Sequence, residues 1–142
     1  MFEEMIESYL ASLKEIEGYD VKSVILFGSV ARGQAKEHSD IDIIVVASGL
    51  PELRNRDTLP PFPKLARIQD IWMTPEELED MVIAKTGFLV DTLLEGRLLR
   101  DDGTVARARK KLVESLKRLR AIRLKSGWMI PREELRAVIS FD

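Results

Sequence analysis

The chain holds 142 residues in 16.2 kDa, the size of one compact domain rather than two. With 45% hydrophobic and 32% charged residues it can bury a core and is too polar for a membrane protein, while the lack of cysteine and a single histidine exclude disulfide scaffolds, thiolate chemistry and multi-histidine metal centres. The net charge of -2 conceals an uneven distribution, since residues 1–103 carry 11 basic and 20 acidic side chains and residues 104–142 carry 11 and 4.

The first segment, MFEEMIESYL, lacks the basic start and apolar stretch of a signal peptide, so a cytoplasmic location is expected. Phe2, Ile6, Leu10, Leu13 and Ile16 recur at helical spacing among glutamates, which predicts an amphipathic helix over 2–17. Val21 to Phe27 reads as a buried strand ended by Gly28, and Asp40 to Val46 (DIDIIVV) as a second that opens with two carboxylates and becomes wholly apolar. Residues 47–66 hold four of the six prolines and form an irregular excursion. Arg67 to Met73 fits a third strand. Thr74-Pro75-Glu76-Glu77 then supplies an N-cap, a proline for the first turn and a capping-box glutamate, predicting a helix to about Lys85. Further helices are expected over 88–95, over 104–125 and from Pro131, with a short strand at 97–100 and a turn at 101–103. Strands mixed with helices indicate an α/β or α+β layered fold, a mixed sheet with helices on one face.

The chemistry concentrates in residues 27–46, FGSVARGQAKEHSDIDIIVV. A strand ending at Gly28-Ser29 with a helix starting at Val30 presents free N–H groups to an anion, and glycine lets the backbone come close, so Gly28 and Ser29 are candidate phosphate holders with Arg32 adding positive charge. Asp40 and Asp42 stand two apart in a strand and project from one face, about 6 to 7 Å apart along the backbone. Such a pair suits a hard divalent ion, magnesium above all, shared with substrate phosphates. Asp70, acidic within an otherwise apolar strand, is the candidate third ligand of a two-metal site, with Asp57 and Asp91 as competitors.

At these residues the sequence resembles the DNA polymerase β-like nucleotidyltransferase superfamily, whose pattern is an apolar strand, Gly-Ser, a spacer of about ten residues, and Asp-x-Asp in a second strand. GSVARGQAKEHSDIDIIVV is most similar to the minimal nucleotidyltransferase (MNT) proteins of prokaryotes, and the likeness extends over 21 to about 103. The resemblance implies a palm-like sheet and transfer of a nucleoside monophosphate from an NTP, ATP being the expected donor, onto a partner protein or RNA, with release of pyrophosphate. It implies triphosphate binding by Gly28 and Ser29, Mg2+ held by Asp40, Asp42 and Asp70, and acceptor activation by Asp70. It further implies a nucleotidyltransferase domain over 1–103 with 104–142 as a helical extension packed on it, and a helical HEPN-type toxin as partner, this chain being the antitoxin.

Two other readings stand beside that one. The first is a non-catalytic module that binds nucleotide or partner and neutralises by contact; the second is a small-molecule adenylyltransferase of the aminoglycoside-modifying type, which at this length would need a homo-oligomer to complete its acceptor site. The helix expected over 104–125 holds nine basic residues and one acid, Glu114. Without interleaved aromatics it reads as a solvated face in preference to an RNA-docking one. His38 is expected to be exposed, and Trp72 and Trp128 to serve as core or subunit contacts.

Overall fold

A computed structural model describes residues 2–119, 122–124 and 127–129. Helix α1 (Phe2–Lys14) leads into β1 (Asp20–Phe27), a single helical turn α2 (Gly28–Ala31) and β2 (Ile41–Ser48). A 3-10 turn (Leu53–Thr58) interrupts the proline-rich excursion before β3 (Ile68–Met73), α3 (Pro75–Ala84), α4 (Gly87–Glu95), β4 (Arg97–Asp101) and α5 (Thr104–Arg118). A small hairpin, β5 (Ile122–Leu124) and β6 (Gly127–Met129), closes the described part. No helix among the described residues is long and apolar enough to cross a membrane.

The four longer strands form one mixed sheet in the order β3-β2-β1-β4, with β2 and β3 parallel and the other pairs antiparallel. Side chains of a strand alternate between faces, so each strand feeds two cores. On one face Ile25, Ile44, Val46 and Met73 pack with Leu78, Leu93, Val105, Leu112 and Leu116 of α3, α4 and α5. On the other, Val24, Leu26, Ile41, Ile43, Val45, Ile68 and Trp72 pack with Ile6, Tyr9 and Leu13 of α1. Helices therefore cover both faces of the sheet rather than one. The sequence reading placed none on the second face because α1 precedes the first strand and carries no sign of which side it takes. The unbroken apolar run of β2 has the same origin, since its residues 43–47 are buried whichever way they point.

Element ends obey the local chemistry. Thr74 and Glu77 form the expected capping box, the Thr74 hydroxyl accepting from Glu77 N–H at 3.1 Å and the Glu77 carboxylate from Thr74 N–H at 2.8 Å. Arg56 ties the 3-10 turn to this cap, donating to Glu77 at 2.5 Å and to the Pro51 carbonyl at 2.9 Å. At the start of α5, Asp101 accepts from the amides of Val105 and Ala106 at 3.0 and 3.1 Å and from the Ser23 hydroxyl at 2.6 Å, joining helix, β4 and β1.

Helix α5 ends at Arg118, short of the expected Lys125, with Leu116 and its C-cap Leu119 both buried. The apolar spacing itself runs on to Ile122, so neither it nor the basic residues mark where the helix stops. Residues 122–124 instead pair with 127–129. The helix expected from Pro131 lies outside the described residues.

Candidate active site

The antiparallel pairing of β1 and β2 sets Phe27 opposite Asp42, so the turn leaving β1 sits beside the start of β2. Gly28 makes that turn at φ +74°, a conformation costly for any residue with a side chain. A β-carbon at Gly28 would also collide with the Asp42 carboxylate, which lies directly against the glycine backbone. Two requirements thus meet at one residue: the chain must reverse sharply, and it must leave room for the acid. The turn after it is closed by Arg32 N–H to Gly28 O at 3.2 Å and Gln34 N–H to Ser29 O at 2.9 Å. The first amides of a single helical turn have no partner within it.

Asp40 is exposed and stands just before β2, which begins at Ile41, so the strand opens with one carboxylate rather than two. Asp42, two residues on, is half-buried. Burial pushes the Asp42 carboxyl up, the neighbouring negative charge of Asp40 pushes it further, and the positive charge of Arg32 opposes both. Asp40 and Arg32 therefore both lie within electrostatic reach of Asp42, whose carboxylate stands against Gly28. Hard oxygen donors, two to the site and with no sulfur or imidazole beside them, match what a magnesium ion takes from protein. His38 is exposed, as expected.

Asp70 does not join them. In the parallel register Asp42 pairs with Gln69 and Ile43 with Asp70, so Asp70 projects with Ile68 and Trp72 toward α1, on the sheet face opposite Asp42. There its side chain is 6% exposed, accepts from Tyr9 Oη at 2.6 Å and from Trp72 Nε1 at 3.1 Å, and lies 3.9 Å from Lys64 Nζ. Burial first, and then the Asp70 hydrogen bond and charge, hold the Tyr9 phenol well above its ordinary range. The expectation that three carboxylates converge is corrected by strand parity: an apolar strand interrupted by one acid does not disclose to which face the acid turns. Asp57 is also removed from the site, exposed on the 3-10 turn that Arg56 fastens to Trp72 O at the far end of β3.

Asp91 is nearer. A cleft of about 280 Å³ runs from the Gly28 turn to α4, lined by Phe27, Gly28 and Arg32 on one side and Phe88, Asp91 and Glu95 on the other. Phe27 and Phe88 face each other across it with ring centroids 6.3 Å apart. Of this wall only Asp91 is a candidate from the sequence, and Phe88 and Glu95 stand with it at helical spacing on one side of α4. Among the described residues, no three carboxylates or histidines come close enough to hold one ion together.

The sequence profile of the nucleotidyltransferase domain matches residues 6–102. A protein adenylyltransferase of Thermococcus cleftensis, named MntA, is 48% identical over 52 residues, 35% of this chain and 52% of that protein. A candidate protein adenylyltransferase of Methanocaldococcus jannaschii is 44% identical over 54 residues, 38% of this chain and 37% of that protein. The chain thus spans about half the length of these relatives or less. Among solved structures, a toxin-antitoxin crystal structure, MntA-HpeT, superposes with a TM-score of 0.50 at 15% identity, covering 95% of this chain and 96% of that one, a likeness of fold.

Proposed function

Since the chain belongs to the nucleotidyltransferase domain family, with 6–102 matched to it, we propose that it moves a nucleoside monophosphate from an NTP, ATP in the first place, onto a partner protein. The observation that carries the reading is the contact of the Gly28 backbone with the Asp42 carboxylate, which brings the Gly-Ser turn after β1 against one acid of the Asp-x-Asp pair. In this reading the amides at Gly28 and Ser29 and the Ser29 hydroxyl grip the outer phosphates, and Arg32 adds charge from the rim. Asp40 and Asp42 hold Mg2+, which when bound offsets charge on the triphosphate. An acceptor hydroxyl then attacks the α-phosphorus and gives up its proton to solvent water, the bond from that phosphorus to the bridging oxygen breaks, and pyrophosphate leaves.

The names of the two relatives support a protein over an RNA as acceptor. A helical HEPN-type toxin, with this chain as antitoxin in the cytoplasm, is the setting that fits the 27–46 motif and the assembly named for the solved relative. We also take residues 1–103 as the transferase unit and 104–142 as an extension on it, which the burial of Val105, Leu112 and Leu116 in the common core supports.

One observation favours a second reading, a module that binds nucleotide and neutralises without catalysis: the β3 acid is turned away from the pair. The two part on one experiment. Incubated with its co-purified partner and ATP labelled at the α-phosphate, the protein should label the partner, and ATP labelled at the γ-phosphate should not. Nucleotide binding with no label transferred would decide for the module.

A further inference from the structure

Position 69, and not position 70, is where β3 faces the Asp42 carboxylate. The β2-β3 register runs without a shift from Ile41 opposite Ile68 to Val46 opposite Met73, so Gln69 is the neighbour of Asp42 on the same sheet face. Adjacent strands lie about 4.8 Å apart, a spacing across which two side chains share one ion. Gln69 is exposed and neutral, and its Nε2 donates to Ala66 O at 2.9 Å, back toward its own chain. Asp70 is one residue out of step. Bringing it round would take a one-residue slip of β3 that also turns Ile68 and Trp72, 1% and 8% exposed, out of the α1 core and breaks the Tyr9 bond.

We propose that this site holds its divalent ions with Asp40 and Asp42 alone, that Asp70 is a structural post binding α1 and Lys64 to β3, and that residue 69 is the vacant third-ligand position. The proposal rests on the reading of Asp40 and Asp42 as metal ligands given above. The remaining coordination falls to triphosphate oxygens and water, which magnesium accepts readily.

Mn2+ titration of the full chain with a non-hydrolysable ATP analogue, monitored by the electron paramagnetic resonance of free Mn2+, tests this alongside thermal melts of each variant. Gln69→Glu should tighten Mn2+ by about fivefold or more, because it supplies the missing carboxylate. Asp70→Asn and Tyr9→Phe should both lower Tm while leaving the Mn2+ affinity of the folded protein within about twofold of the parent. Asp42→Asn should weaken it about tenfold or more. A folded Asp70→Asn protein that loses Mn2+ as Asp42→Asn does, while Tyr9→Phe keeps it, would overturn the proposal and leave the parent reading standing; an untightened Gln69→Glu counts against the proposal even if Asp70→Asn fails to fold. Undiminished Mn2+ binding by Asp42→Asn would instead remove the metal reading itself.

Discussion

At the residue scale the proposed reading gives distinct work to a glycine and to the Ser29 hydroxyl. Ser29→Ala removes one hydrogen bond to a charged phosphate and should weaken Mg-ATP binding by about 1 to 2 kcal/mol, checked by calorimetric titration; identical curves for variant and parent would contradict the assignment. The placement of Gly28 at the turn beside Asp40 and Asp42 was legible in the sequence because it is set by neighbours a few positions away: a strand end, a turn residue, an alternation of two. Asp70 was not, because the face it takes depends on the pairing of β3 with β2, and nothing local to Gln69-Asp70-Ile71 records that register. The same holds for Phe88 and Asp91, whose nearness to Gly28 arises only when α4 docks.

At the scale of elements, the ends carry the testable energetics. Thr74→Ala should cost about 1 kcal/mol by thermal melt, the usual worth of an N-cap, and somewhat more if the Arg56-Glu77 pair loosens with it. Asp101 makes the fold sensitive to acid. Burial alone would raise its carboxyl, but the Ser23 hydroxyl and the amides of Val105, Ala106 and Gly103 outweigh that and hold it below its ordinary value of 3.8. A carboxyl lowered in the folded state contributes stability that is present above its unfolded pKa and lost as pH falls through the folded one. Tm should therefore drop below about pH 4, with a shallower drop in Asp101→Asn, because the neutral side chain no longer titrates. Most elements could be read in advance from apolar spacing and turn residues. The extent of α5 could not, because Ile122 stands at helical spacing from Leu119 and yet belongs to the β5-β6 hairpin.

For the whole molecule, the two-sided sheet explains why so short a chain keeps a sharp corner intact: β1 and β2, which carry it, are buried on both faces. Charge is divided just as clearly, an acidic body bearing a basic α5. Part of that basic set is structural, since Arg109 donates to Leu93 O at 2.6 Å and Gly96 O at 3.2 Å and so closes the end of α4. The outward remainder, Lys110, Lys111 and Lys117 among them, should bind RNA only weakly, without preference among nucleic acids. Submicromolar binding whose affinity falls steeply with salt, about 0.7 to 0.9 in log-log slope per phosphate contact, would overturn that and reopen RNA as acceptor.

In the proposed site Gly28 joins the phosphate-binding turn to the Asp42 acid, and Mg2+-dependent ATP binding by Gly28→Ala is the measurement that separates the two outcomes. Calorimetry on the full chain should show ATP binding that requires Mg2+ in the parent. It should fall about tenfold or more in Gly28→Ala, because the added methyl displaces the carboxylate and strains the turn while the core strands stay buried. A folded Gly28→Ala protein that binds Mg-ATP as the parent does would contradict it.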